Sequence, residues 1–249
     1  MRKAVAIIPA RYDSKRFPGK PLAPLAGVPL IVRVMQAARK SRRISDVMVV
    51  TDDERIVHAV VRYNGQAFLS KKEHATGSDR VAEIAEKLDY DYIVNLQGDE
   101  PFLPPDVIDT VVEALDSPEV VMSSACSPTK EPSEADNPNV VKVVMDSKGD
   151  ALYFSRSRIP YLRADDGLAA PVYRHIGIYG FKRDFLLKFV SYERTPLEIS
   201  ESLEQLRALE HGHKIRVLTV KSEFAGIDSP EDLVRVERIL IEQGIENGR

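Results

Sequence analysis

The sequence holds a single cysteine, Cys126, and no tryptophan. One thiol excludes an intrachain disulfide and any zinc site built from cysteines. Cys126 follows Met122-Ser123-Ser124-Ala125 beside an apolar run, the setting of a buried structural thiol and not of a nucleophile. The five histidines, His58, His74, His175, His211 and His213, lack the spacing of a zinc protease. Neither Ser14 nor Ser155 lies in a Gly-x-Ser-x-Gly elbow. There is no internal repeat and no low-complexity tract. No run of about eighteen apolar residues is present, so no membrane span is predicted. The basic start Met1-Arg2-Lys3 leads into an apolar stretch of five residues, Ala4 to Ile8, that Pro9 closes. That stretch is too short for a signal peptide, and the expectation is a cytoplasmic protein. Charge of one sign is also lacking: 35 Lys and Arg stand against 38 Asp and Glu, net −3. A general affinity for nucleic acid is therefore not expected.

What is present is a regular alternation of strand-like and helix-like segments. With 249 residues and 43% hydrophobic content, the chain can bury one full α/β core. Buried strands are predicted at 4–8, 47–51, 67–69, 92–96 and 120–125. Helices are predicted at 29–40, 53–63, 78–88 and 104–115. This βαβα rhythm implies a mainly parallel, mixed sheet with helices on both faces. The rhythm breaks over 126–170, where Ser127-Pro128, Glu131-Pro132 and Asn137-Pro138-Asn139 interrupt two strand-like pieces at 140–145 and 151–154. That stretch is expected to be an inserted subdomain or a subunit contact within one domain, 1–249. The pattern resumes with a strand at 173–181, helices from Lys182 and over 199–210, a strand at 215–220 and a last helix from Pro230.

The most informative segment is Ile8-Pro9-Ala10-Arg11-Tyr12-Asp13-Ser14-Lys15-Arg16-Phe17-Pro18-Gly19-Lys20-Pro21. It joins the first strand to the first helix and carries Arg11, Lys15, Arg16 and Lys20. Arginine grips phosphate oxygens through paired bonds and lysine adds a point charge, so this loop is a natural polyphosphate receptor. It is not a Walker P-loop, because Gly19-Lys20 is followed by Pro21 and no glycine stands five positions before Gly19. Nor does it match the dinucleotide fingerprint.

Three further constellations carry chemistry. Asn95-Leu96-Gln97-Gly98-Asp99-Glu100-Pro101 lies at the carboxyl end of a predicted strand, where open α/β sheets bind ligands. Asp99 there could hold a divalent cation, and Gly98 would let the backbone approach a ligand. In His74-Ala75-Thr76-Gly77-Ser78-Asp79-Arg80, Thr76-Gly77 provides a turn and Ser78 could cap the next helix. In Gly226-Ile227-Asp228-Ser229-Pro230-Glu231-Asp232, Asp228 or Ser229 could cap the helix that Pro230 opens. A last group, 153–160, 173–180 and 203–207, places Arg156, His175, Tyr179 and Glu204 in polar surroundings. Strand alternation puts His175, Gly177 and Tyr179 on one face.

The loop resembles the signature Ala-Arg-x-x-Ser-x-Arg-x-Pro-Gly-Lys of the sugar-acid cytidylyltransferases, with Ala10, Arg11, Ser14, Arg16, Pro18, Gly19 and Lys20 all fitting. Within that group the chain looks most like the 3-deoxy-manno-octulosonate (Kdo) cytidylyltransferase family. The likeness runs from Ile8 to Asp232 with the motifs in order. One departure is Thr76-Gly77-Ser78-Asp79-Arg80, where the family has Ser-Gly-Thr-Asp-Arg; both hydroxyls are kept. The resemblance implies a Rossmann-like nucleotidyltransferase fold and the reaction of CTP with Kdo to CMP-Kdo and pyrophosphate, for lipopolysaccharide synthesis. It implies a CTP site of Arg11, Ser14, Arg16, Lys20, Thr76, Ser78 and Arg80. Gln97, Arg156, His175, Tyr179 and Glu204 would meet the sugar acid. Mg²⁺ would be held by Asp99 and Asp228, and Arg11, Lys20, Asp99 and Asp228 would carry catalysis. A homodimer is also implied. Another sugar acid of the amino-Kdo or sialic-acid type, or a non-catalytic nucleotide-binding regulator, is the alternative.

Overall fold

The computed structural model describes residues 2–13, 17–129, 131–163, 171–221, 226–227 and 229–242. They divide into two compact units, 1–109 with 223–249, and 110–222.

The first unit opens with β1, Ala4–Ala10. A tight hairpin of β2, Pro24–Leu25, and β3, Val28–Pro29, leads into α1, Leu30–Ala38. Then follow β4, Asp46–Thr51, α2, Glu54–Arg62, β5, Gln66–Leu69, α3, Gly77–Ala85, and β6, Tyr92–Leu96. The division between the units falls inside the next helix, α4, Pro105–Ala114. β1 pairs in parallel with β4 on one side and β6 on the other, and β4 pairs in parallel with β5. The strand order is therefore β6-β1-β4-β5.

This order follows from the residues. β1 and β6 are apolar and buried along nearly their whole length, as strands covered on both faces must be. In α1, Leu30, Ile31, Val34, Met35 and Ala38 share the buried face that their spacing predicts. After β1 the chain runs outward to β4 and β5, and α3 then returns it to the other side of β1. The order reverses at β1, so the loops leaving β1 and β6 emerge beside each other. Such a switch point is where α/β sheets accept ligands.

The C-terminal helix, Pro230–Glu242, packs on the same unit. Leu25, Ala26, Leu30, Ile227 and Val236 form one apolar cluster with Phe102 and Leu233 against it. Ala26 has φ +47°, unusual for a residue with a Cβ. It is held there by Glu237 Oε1, which accepts from its N–H at 2.9 Å, and by Arg33 Nη2, which donates to its carbonyl at 2.9 Å.

The second unit contains β7, Met122–Pro128, α5, Pro132–Asp136, β8, Lys142–Met145, and β9, Ala151–Ser155. It continues with β10, Tyr173–Lys182, α6, Arg183–Val190, α7, Pro196–Glu201, α8, Leu206–Glu210, and β11, Arg216–Thr219. β10 runs antiparallel to β7 and β8, β9 antiparallel to β8, and β11 parallel to β7. The stretch 126–170 expected to break the rhythm lies within this unit, and residues 164–170 fall outside the described ones. The single helix expected over 199–210 is two short helices. Ser202 adopts a left-handed conformation, φ 52°, and ends α7, so Leu203 to Gln205 form a turn before α8.

A buried lysine and a buried ion pair shape this unit. Lys142 has no exposed surface, and its Nζ donates to the carbonyls of Asn137 at 2.8 Å, Val140 at 2.6 Å and Arg156 at 2.5 Å. Burial pushes its pKa down, while Asp136 and Glu201 oppose the shift. Glu198 accepts from Arg207 Nε at 2.8 Å and Nη2 at 2.7 Å, with both side chains at most 3% exposed. A bidentate pair this deep is costly to break from one side only, because the remaining charge stays buried. Arg207→Ala is expected to lower unfolding stability by about 3–5 kcal/mol in urea titrations, and Arg207→Met combined with Glu198→Leu to recover most of it. A loss below about 1 kcal/mol in the single variant would overturn this account.

Candidate active site

The loop after β1 is closed by its own backbone. Gly19 N–H donates to the Tyr12 carbonyl at 2.9 Å. Gly19 has φ +72°, and a Cβ there would stand 3.3 Å from Tyr12 Oη, so this turn favours glycine. The Tyr12 ring lies under the Arg55 guanidinium, 3.4 Å from its centroid. Arg55 is itself fixed by Asp53, through Nη2 at 2.6 Å and Nε at 2.9 Å. The bond from Arg55 holds the Asp53 carboxyl below its ordinary range. The expected phosphate ligands Ser14 and Arg16 lie outside the described residues, as does Lys15.

Lys20 follows Gly19 in a short 3-10 turn and reaches the loop after β6. Its Nζ donates to Asp99 Oδ2 at 2.8 Å, with the lysine 13% and the aspartate 31% exposed. A partly shielded, charge-assisted bond therefore joins the two loops that the switch point brings together. Gly98 permits the approach: a Cβ there would meet the Pro9 carbonyl oxygen at 3.3 Å. The C-terminal segment arrives at the same place. Ile227 N–H donates to the Asp99 carbonyl at 2.9 Å, and a Cβ on Gly226 would stand 3.2 Å from Glu100 Oε1. Asp228, expected to share a metal ion with Asp99, lies outside the described residues.

α3 supplies the third wall. Its cap is Thr76 and not Ser78: Thr76 Oγ1 accepts from Asp79 N–H at 3.2 Å, and Asp79 Oδ2 accepts from Thr76 N–H at 2.9 Å. Gly77 opens the helix, which moves Ser78 one position inside it. Ser78 is buried and accepts from Asn95 Nδ2 at 3.1 Å. Arg80 is 2% exposed; Nη2 donates to Asp52 at 2.7 Å, Nη1 to the Ala10 carbonyl at 3.4 Å, and Nε has no hydrogen-bond partner. Arg11 Nη2 donates to the His74 carbonyl at 2.7 Å. A cavity of about 730 Å³ opens among Arg11, Asp52, Ser70, Lys72, His74 and Arg80. Its size suits a nucleotide fragment, and its donors and acceptors are mixed.

The remaining predicted residues belong to the second unit, apart from Gln97, whose carbonyl accepts from Glu100 N–H at 3.4 Å. His175 Nε2 meets Ser124 Oγ at 2.8 Å, and that hydroxyl donates to the Ile178 carbonyl at 2.8 Å. Nε2 must then carry the proton. Phe154 and Tyr179 flank the ring at centroid distances of 5.1 and 5.3 Å. Four residues of flat strand span roughly 13 Å, so His175 and Tyr179 could not touch on a regular β10. The register shift between Ile176 and Tyr179 brings them together. Burial lowers the His175 pKa to about 3. Burial, then the Glu204 charge, raises that of Tyr179 well above its ordinary value. Arg156 donates from Nε to the Glu201 carbonyl at 2.7 Å and from Nη1 to the Pro138 carbonyl at 3.0 Å. Expected to meet a sugar carboxylate, it is here also a tie between β9 and α7.

Sequence reasoning passed over Tyr12, Asp52, Arg55, Ser70 and Glu83, and gave His74 no role. Asp52 had a readable signal, since Thr51-Asp52-Asp53 follows a buried strand just as Asp99 does. Among the described residues, no group of three His, Cys, Asp or Glu side chains could hold a metal alone. Magnesium needs only one or two carboxylates, with substrate oxygens and water completing its shell, so Asp99 and its hard oxygen donors fit that ion.

Residues 5–215 match the family model described as Cytidylyltransferase. A 3-deoxy-manno-octulosonate cytidylyltransferase from an Anaeromyxobacter species is 50% identical over 242 residues, covering 96% of this chain and 98% of that protein. One from Syntrophotalea carbinolica is 46% identical over 240 residues, covering 93% and 96%. A solved CMP:2-keto-3-deoxy-manno-octonic acid synthetase, complexed with CTP, superposes with a TM-score of 0.91 at 38% identity over 97% of this chain and 99% of that one. The 4-diphosphocytidyl-2C-methyl-D-erythritol synthase of Anaerococcus prevotii shares the fold, with a TM-score of 0.64 at 15% identity over 96% of each chain.

The His175 environment has a consequence for pH. Below about pH 6.5 the unfolded chain takes up a proton that the folded chain refuses until about 3. The contribution of His175 to stability is therefore complete above about 6.5 and lost as pH falls toward 3. In histidine NMR spectra its resonance is expected to stay that of a neutral, Nε2-protonated ring from pH 8 down to about 5. His175→Asn should show a shallower loss of urea midpoint on acidification than the unmodified protein. A His175 titrating near its ordinary pKa would refute this environment.

Proposed function

The chain belongs to the cytidylyltransferase family, on its 3-deoxy-manno-octulosonate side, and from that premise we propose how its own residues perform the reaction. It joins CTP and Kdo to give CMP-Kdo and pyrophosphate. The observation that carries the residue assignment is the Lys20–Asp99 bond, which puts a phosphate-loop cation and a strand-end carboxylate at one point.

The sugar's anomeric hydroxyl attacks the α-phosphorus of CTP, and pyrophosphate leaves in line. The phosphorus needs no covalent help from the protein, so catalysis is positioning and neutralisation of charge. Arg11, Arg16 and Lys20 meet the triphosphate. Ser14, Thr76, Ser78 and Arg80 order the nucleotide, with Arg80 held in place by Asp52. Asp99 and Asp228 hold Mg²⁺, which when bound supplies positive charge at the phosphate and makes the sugar hydroxyl more acidic. Gln97, Arg156, His175, Tyr179 and Glu204 read the sugar acid. A neutral His175 keeps one nitrogen as acceptor for a hydroxyl, and arginine suits a carboxylate.

Lys20 is expected to leave Asp99 when the substrates bind, because the triphosphate offers it more negative charge. The paired state keeps both side chains ordered before binding. The enzyme works in the cytoplasm as a homodimer through residues 126–170 and supplies lipopolysaccharide synthesis. Leu152, 62% exposed, and Tyr161, 85% exposed, are large apolar side chains that this stretch presents among the described residues.

Pyrophosphate release from CTP with Kdo, 8-amino-Kdo and a sialic acid tests the substrate; release with Kdo at no more than background would reject it. Asp99→Asn should keep the fold and cut turnover about a hundredfold or more, roughly 3 kcal/mol. Turnover near that of the unmodified enzyme would remove Asp99 from the metal site. Lys20→Ala should lower kcat more than it raises the KM for CTP, and Arg11→Ala the reverse. Equal losses confined to KM would reject that division.

A further inference from the structure

The connection between β5 and α3 is tied more firmly than its length requires. Ser70 N–H donates to the Thr51 carbonyl at 2.7 Å, and Lys72 N–H donates to Ser70 Oγ at 3.3 Å. The far end is closed by the Thr76–Asp79 box. Between them, Glu83 Oε2 accepts from Ser70 Oγ at 2.5 Å and from His74 Nε2 at 2.8 Å. Two donors converging on one oxygen favour the ionised carboxylate. Burial resists that charge, but the bonds from Ser70 and His74 outweigh it and hold the Glu83 pKa below its ordinary value. With Ser70 donating to Glu83, Nε2 of His74 must carry the proton. The 3.1 Å approach of Nε2 to Ser70 Oγ is then the side contact of a shared proton. His74 and Glu83 are only 9% and 10% exposed.

His74 is bonded in two directions. Its ring is gripped by Glu83 on α3, and its carbonyl accepts Arg11 Nη2 at 2.7 Å. Arg11 is an exposed side chain on the loop after β1, and a long free arginine loses much conformational freedom on gripping an anion. A carbonyl held still by a largely buried hydrogen bond removes part of that cost beforehand.

We propose that Glu83, acting through the His74 ring and carbonyl, is a positioning residue that orients the Arg11 guanidinium for the triphosphate. This rests on the reading of Arg11 as a phosphate ligand. The path runs by a hydrogen bond from the Glu83 carboxylate to the His74 ring, through the covalent frame of His74 to its carbonyl, and by a hydrogen bond to Arg11. Ser70 keeps the carboxylate's other approach filled. Glutamine at position 83 would offer a weaker acceptor and an amide donor where two donors already point.

The test is steady-state pyrophosphate release with CTP varied at saturating Kdo. Glu83→Gln and His74→Ala should each raise the KM for CTP about five- to tenfold with kcat within about twofold, because the lost ordering precedes chemistry. His74→Gln keeps an N–H donor near the position of Nε2 and should return KM to within about twofold of the unmodified enzyme. In an Arg11→Ala background neither Glu83→Gln nor His74→Ala should add to the KM, since the residue they act through is gone. Additive losses in that background, or losses confined to kcat, would overturn the proposal while leaving Arg11 as a phosphate ligand. An Arg11→Ala enzyme with unchanged KM for CTP would instead reject the reading of Arg11 and the proposal with it. Should Glu83→Gln fail to fold, the His74→Ala and His74→Gln pair decides the matter by the same cycle.

Discussion

The bond between Lys20 Nζ and Asp99 Oδ2, 2.8 Å long, depends on nearly everything that precedes it in the first unit. It requires the loops after β1 and β6 to leave the sheet side by side, which they do because α3 carries the chain back across β1. It requires Gly19 to turn in the left-handed region so that Lys20 points inward. It requires Gly98 to have no side chain against Pro9. It also fixes the point to which the C-terminal segment returns, through Ile227 N–H on the Asp99 carbonyl. A cation and a carboxylate that are distant in sequence become one electrostatic feature only because the strand order reverses there.

Several polar side chains in and around the cavity are held by other protein groups before any ligand arrives. Arg80 is anchored on Asp52, Tyr12 lies under Arg55, and His74 is bracketed by Glu83 and Arg11. Preorganisation of this sort suits a reaction in which charge must be met in place and little covalent chemistry is asked of the protein. The second unit uses the same economy for rigidity. The Lys142 ammonium gathers three carbonyls, and the Glu198–Arg207 pair joins α7 to α8. Each is a buried charge with its bonding capacity largely used, the condition under which burial is tolerable.

The sequence and the structure part company where local rules compete. A helix over 199–210 is a fair reading of its apolar spacing, yet Ser202 turns left-handed and the chain breaks, leaving Glu204 and Gln205 on a turn. Ser78 and Thr76 are equally good caps by composition, and the box with Asp79 selects Thr76. Alternation along 173–180 places His175 and Tyr179 on one face but about 13 Å apart, and only the register shift in β10 joins their rings.

By itself the sequence determined the strand-and-helix rhythm, the basic loop after the first strand, the strand-end aspartate and the family, because each is written in local spacing or residue type. Period-two and period-3.6 burial, glycine at a tight turn and cations beside a strand end are all short-range signals. Tertiary structure alone decided which side chains meet. Arg55 over Tyr12, Asp52 on Arg80, Glu83 on His74 and Lys142 on three carbonyls join elements by contacts that no spacing encodes. Partner choice among charged residues is set by the sheet order and the helix return, and a chain with 35 basic and 38 acidic side chains offers too many possible pairs for the sequence to choose among them.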